Sequence, residues 1–484
     1  MFAKIVYRHS PAWYRTPRAQ TAALGCVFFF VFSAYTTIQF YSATIYGAQL
    51  AADSVSAVYL SFTLCSPLSA GVVNKWGCPT TMFLGVLGYA GLVLASLIYF
   101  LYGGETILWS CRLVVLGGLI LGCAAALLWT AQGRLILQFA SKAEDLGDAN
   151  NKGDNKSQTG KLMGLFWAIF QCSSLVGGAI SFLYYDRTPE GSAPLYVLFL
   201  GFILAGAVST QFLLHPSMLS IPNGIGQGHH VVELTSESTP LAHDASVECD
   251  CPRKDGVKMN EDLSHQSWRE EVHGSLSIFY TRKMAPLLLL FFYSGFNQPY
   301  QQSSFGNRFV TKRTIGLELI VFHLWEIIAA IVCGRFLDRE GKGRLQFASR
   351  RSRAIACLIL FSLINATGNL LAWAQEKAAL QNGGEATAHD ISDWGVIAPS
   401  ISFAAWGFAD AQIQIYCYWI MGTLYKSGQE HSRAVGAYKC VQSAGTALGF
   451  YLTPTSRLSY TAQLACSSVV FVAGTLLSLM QLPP

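Results

Sequence analysis

Among the ionisable side chains inside long apolar runs of this sequence are His323, Glu326, Asp410 and Lys439. A charge in a hydrocarbon setting is costly, so each such residue is a functional candidate by default. Glu326 follows His323 by three positions, which places both on one helix face. A carboxyl beside an imidazole either exchanges protons or forms a fixed structural pair. Asp410 has Trp406 and Gln414 one turn away on its own face. It is a candidate for binding substrate or a cation; the alternative is a carboxylate tied to a neighbouring helix. Lys439 is read as an ammonium that snorkels toward the headgroups from near the end of its run.

Uncharged polar residues crowd two of the runs. One holds Asn297, Gln298, Gln301, Gln302, Ser303, Ser304, Asn307 and Arg308, and another holds Gln39, Tyr41, Ser42 and Thr44. Facing lipid, so many polar groups would be expensive. They face either a hydrated cavity or one another. Gln132, Gln171 and Gln442 join them as candidate cavity residues. Pro299 frees a backbone carbonyl within its run, a feature tolerated in membrane helices where neighbours or water re-satisfy the group.

The elements that position these residues follow from composition. The chain has 484 residues, of which 52% are hydrophobic and 13% charged. Soluble domains carry about 25% charged residues. A hydrocarbon core about 30 Å thick takes about 20 apolar residues per helix. On that measure twelve spans are expected, near 19–46, 53–74, 79–102, 107–138, 161–184, 193–214, 284–306, 315–337, 354–375, 394–424, 433–453 and 459–480. Residues 1–18 form a polar, basic segment with no cleavable signal pattern. Residues 141–160 read as a short polar loop. Residues 215–283, rich in Ser, His, Asp and Glu, read as a flexible cytosolic linker between 19–214 and 284–484.

Orientation follows from the basic residues. With the N-terminus inside, cytosolic segments hold 24 of the 33 Lys and Arg. The positive-inside rule therefore places both termini in the cytosol. The sequence does not decide between plasma membrane and endomembrane. The thirteen cysteines are scattered, mostly in apolar runs, and imply no disulfide framework. Cys249 and Cys251, near His229, His230 and His243, match no metal-ligand spacing, so no metal site is assigned. Glu237 to Ala242 carries only a faint likeness to an acidic sorting signal.

The chain also repeats itself. Gln39, Tyr41, Thr44, Tyr46 and Gly47 share the pattern Q-x-Y-x-x-[ST]-x-[YF]-G with Gln298, Tyr300, Ser303, Phe305 and Gly306. Gln171 and Gly178 are spaced like Gln442 and Gly449. Both offsets fit a six-plus-six duplication, the plan in which a substrate path lies between related halves. Small residues at Gly118, Gly122, Gly160 and Gly164 suit close helix crossing.

Between spans 8 and 9 stand Gly334, Asp338, Arg339, Gly341 and Arg344. They resemble the G-x-x-x-D-R-x-G-[RK]-x-R signature of the major facilitator superfamily, and their expected role is a latch on one conformation. The matching stretch after span 2 holds Gly71, Lys75 and Gly77 but no acid, so any latch there uses other contacts. Four further stretches resemble the Unc-ninety-three-like family: Val73 to Gly77, Gly122 to Gly133, Gly164 to Gln171, and Tyr418 to Gly422 with Gly436 to Gly445. The resemblance spans nearly the whole chain outside 215–283. It implies an all-α integral membrane protein with a twelve-helix major facilitator fold in two six-helix halves. It also implies two functional classes, because some animal members regulate potassium channels or act as receptor-trafficking chaperones.

The leading expectation is secondary transport of a small solute or ion by alternating access. The alternative is a transporter-shaped regulator or chaperone whose partner is another membrane protein. No Walker loop, catalytic triad or dinucleotide fingerprint is present. The expected partners are the lipid bilayer and a small solute; no enzyme activity, cofactor or nucleic-acid partner is expected.

Overall fold

A chain this apolar must satisfy its backbone polar groups within each crossing segment, and helices do so. The computed structural model describes residue 7 and residues 9–46, 48–102, 108–150, 158–185, 193–220, 268–338 and 349–483. Among these, the long elements are all helices. They are α1 (Pro17–Tyr46), α2 (Ala48–Trp76), α3 (Cys78–Leu101), α4 (Leu108–Asn150), α5 (Thr159–Tyr185) and α6 (Ala193–Thr210). Next comes α7, built from Leu288–Pro299, a π-helical turn Tyr300–Phe305 and Gly306–Phe309. The remainder are α8 (Lys312–Leu337), α9 (Arg350–Gln381), α10 (Ile397–Leu424), α11 (Gly428–Leu452) and α12 (Tyr460–Ser478).

Eight described helices are long and apolar enough to cross a bilayer, and a ninth is reached only if Trp268–Tyr280 and Ala285–Phe309, bent by 66° at their break, are taken as one span. The remaining long helices, α5, α10 and α11, are not among them. The polar residues of α10 are tolerated because protein, not lipid, surrounds them. In α10 every residue from Ala405 to Met421 is buried. A helix buried all round lies inside the bundle.

Packing repeats with a shift of six helices. The pairs α1–α5, α1–α6, α2–α4 and α3–α4 are matched by α7–α11, α7–α12, α8–α10 and α9–α10. Across the two sets, α2 packs on α11 and α5 on α8. This is the major facilitator arrangement. Close approach is written into the helix pairs: a Cβ on Gly122 of α4 would lie 2.1 Å from the Val58 carbonyl of α2.

Two stretches depart from expectation. The polar stretch 141–160 is not a loop throughout, because α4 continues to Asn150; Lys142, Ala143, Glu144 and Leu146 are good helix formers. The end of 215–283 is also ordered, with a helix over Trp268–Ser277 that packs on α2 and α11. Cys249, Cys251, the nearby histidines and the 237–242 stretch lie outside the described residues. The end of the bundle that carries Lys75, Lys161, Arg335, Arg350 and Arg433 is termed the basic end below.

Candidate functional site

The residues with charge meet where α5, α7, α8 and α10 converge. Asp410 of α10 is 1% exposed. Its Oδ1 accepts a hydrogen bond from Gln298 Nε2 of α7 at 3.3 Å, and its Oδ2 has no donor. Glu326 of α8, also 1% exposed, lies close enough for the two carboxyls to interact. His323 Nδ1 sits 2.6 Å from Glu326 Oε2, as the three-residue spacing requires. Trp167 and Gln171 of α5 lie beside Glu326. Helices from both six-helix sets thus build one cluster.

Lys439 does not snorkel. It is 3% exposed and points into the bundle. Its Nζ donates to Gln442 Oε1 at 2.8 Å and lies 4.3 Å from the Trp129 ring centroid, 4.9 Å from Tyr438 and 5.7 Å from Tyr418. Aromatic faces replace headgroup water as the partner of the ammonium, an attraction that strengthens with desolvation. Asp410 is near enough for its charge to act on Lys439. Two of the rings are fixed in turn: Tyr418 Oη donates to Gln132 Oε1 of α4 at 3.2 Å, and Tyr438 Oη donates to Gln414 Oε1.

Other candidates fall around this network. Asn297 and Gln301 of α7 are each 2% exposed, and their side-chain oxygens have no donor. Gln442 Nε2 donates to the Ser294 carbonyl, which links α11 to α7. Gln39 of α1 is half-buried and pairs with Tyr59 of α2, apart from the charge cluster. The side chains of Tyr41 and Thr44 lie outside the described residues, so only the α7 member of the polar repeat can be placed at the site.

Both latch stretches sit at the basic end. After α8, Asp338 Oδ2 accepts from the Lys161 amide at the start of α5 at 2.6 Å. Gly334 allows this, because a Cβ there would lie 2.3 Å from the Gly160 carbonyl. Arg339, Gly341 and Arg344 lie outside the described residues. After α2, Gly77 has φ 78°, a left-handed conformation that favours glycine. Here a carboxylate arrives from elsewhere. Glu271 of the Trp268–Ser277 helix is 2% exposed and accepts from Asn74 Nδ2 and an Arg433 Nη, each at 3.1 Å, and from Gln429 Nε2. Lys75 Nζ lies 4.7 Å from the Trp268 ring centroid, and a Cβ on Gly71 would meet Trp268 and Glu271 at 3.4 Å.

Residues 51–479 match the family described as "Ion channel regulatory protein UNC-93". The chain belongs to the UNC-93 family. This UNC-93 chain is 25% identical over 458 residues to UNC93-like protein 1 of Arabidopsis thaliana, covering 90% of this chain and 84% of the relative. It is 24% identical over 361 residues to mouse protein unc-93 homolog A, covering 72% and 74%. In fold it is similar to the E. coli fucose:proton symporter, with a TM-score of 0.59 at 12% identity, covering 96% of this chain and 98% of that one.

In the UNC-93 chain, the residues that sequence reasoning left out are aromatic or lie beyond the spans. Trp129, Trp167, Tyr418 and Tyr438 all stand within the stretches that carry the family resemblance. That placement was the available signal for the ring box around Lys439. Glu271 gave none, because its helix buries Glu271 and Ser275 while leaving Leu276 exposed, which inverts the usual amphipathic pattern.

Proposed function

We propose that this protein moves a small solute or ion across the membrane by alternating access, with Asp410 and Glu326 coupling charge to movement. The observation that carries this reading is the meeting of two deeply buried carboxyls at the seam between the six-helix sets. Buried charges at membrane depth face a partner or a pathway. Asp410 Oδ2, Asn297 Oδ1 and Gln301 Oε1 are acceptors without donors, as suits a site that receives a cation or a hydrogen-bonding solute. When one six-helix set rocks against the other, α5 and α8 separate. Glu326 then exchanges Trp167 and Gln171 for water, and its affinity for a proton or cation changes with the state. That difference is what coupling requires.

Purified protein in liposomes, given imposed proton or cation gradients and a broad panel of labelled solutes, tests the reading. Uptake is expected in wild type and strongly reduced in Asp410→Asn and Glu326→Gln. Absence of both binding and movement across the panel would sink it. The family description favours a second reading, regulation of a channel by a transporter-shaped partner. That reading expects a stoichiometric membrane partner to co-purify, with Asp410→Asn fully active.

A further inference from the structure

The two latch stretches are not equivalent in sequence. In the α8–α9 copy, four residues after Gly334, stands Asp338, whose carboxylate accepts from the Lys161 amide in the first turn of α5. In the α2–α3 copy, four residues after Gly71, stands Lys75. The repeat therefore predicts a carboxylate between α2 and α11 that the α2–α3 turn cannot supply. We propose that the Trp268–Ser277 helix is a clasp which delivers that carboxylate through Glu271, closing the basic end and controlling access to the Asp410 site from that side.

The contacts fit the role. Glu271 Oε2 is shared between Asn74 at the end of α2 and Arg433 in the second turn of α11. Its Oε1 takes Gln429. Asn74 is itself a junction: its Oδ1 accepts from Ser432 Oγ of α11 at 2.6 Å and from an Arg134 Nη of α4 at 2.8 Å. One carboxylate thus completes a network that joins α2 and α4 of the first set to α11 of the second. The helix is seated on both sides. Trp268 covers Lys75 and packs against Gly71, and Gly274 lies under the Arg433 guanidinium, where a Cβ would come within 2.5 Å.

The clasp is also releasable. Its donors are two neutral amides and a single arginine whose side chain is 19% exposed. A carboxylate leaving this site regains full hydration, which offsets much of the loss of charge-assisted bonds. Glu271 thus favours the closed basic end without locking it. Because α2–α11 and α5–α8 part together in alternating access, release at Glu271 also frees Lys161 from Asp338. The inference rests on the transport reading for its purpose, not for its contacts.

Hydrogen exchange of the full chain in nanodiscs, read by mass spectrometry without added solute, tests it. In Glu271→Gln, exchange is expected to quicken about tenfold in peptides over 425–435 and also over 158–166, with no change over 306–316; that rate ratio corresponds to a tenfold shift in the open population. Arg433→Gln, which leaves two of the three donors, gives a smaller change of the same pattern. Quickening confined to 425–435 means local packing only and overturns the proposal. So does an equal rise over 306–316, or no change. Wild type that moves no solute, together with the expected exchange pattern, would remove the transport reading and leave the clasp. Solute movement with unaltered exchange would do the reverse.

Discussion

Asp410 and Lys439 offset their burial by different means. Asp410 uses one amide and leaves an oxygen open, whereas Lys439 uses an amide oxygen and three ring faces. Asp410→Asn keeps an acceptor for Gln298 but removes the charge. A hydrogen bond to a charged group is worth about 1.5–3 kcal/mol. Solute uptake by liposomes should therefore fall roughly 10- to 100-fold, while the melting midpoint in detergent stays close to wild type. Lys439→Met keeps the length of the side chain and removes the ammonium. It forfeits a desolvated cation–π contact worth about 2 kcal/mol, and a lower melting midpoint is expected. Lys439→Arg should recover most of it, and an unchanged midpoint in the Met variant would show that the rings do not hold the charge. Legibility at this scale was uneven. Glu326, His323 and Asp410 were readable because a charge in an apolar run announces itself. The Lys439 box was not, since four residues from three helices make it.

At the scale of elements, α5 and α8 meet through backbone. A Cβ on Gly164 would lie 2.3 Å from the Ala330 carbonyl. Gly164→Leu must push the helices apart, and overpacking of this kind costs about 1–3 kcal/mol. The prediction is a lower melting midpoint with uptake reduced further than stability alone explains, because Glu326 and Trp167 sit on the same seam. Helix α7 shows a second element-scale effect. Pro299 has no amide hydrogen, and the π-helical turn over Tyr300–Phe305 begins directly after it. Such turns mark functional positions inside helices, and this one follows the residue next to Gln298. The proline was visible in the sequence; the widened turn after it was not.

For the molecule as a whole, side of exposure is the measurable quantity. Tyr280, after the Glu271 helix, is 89% exposed, and Trp394, before α10, is 87% exposed. On the orientation that the bias of basic residues predicts, Tyr280 lies on the cytosolic side and Trp394 on the other. A cysteine at Tyr280 should react with an impermeant thiol reagent only after permeabilisation, and one at Trp394 without it. The opposite pattern would invert the topology, and with it the direction of opening assigned to the Glu271 clasp.

Hydrophobic length is a local sum along the chain, and so the sequence alone pointed to twelve long helices in a six-plus-six plan and to which buried charges to question. What stands opposite each of those charges is a relation between distant segments. Only tertiary structure decided that Glu326 meets Asp410, that Lys439 turns inward to three rings, and that a helix beyond the spans brings Glu271 to a turn lacking its acid. The physical reason is the hydrocarbon itself: it forces any polar group to find a partner, but it does not say which helix will provide one.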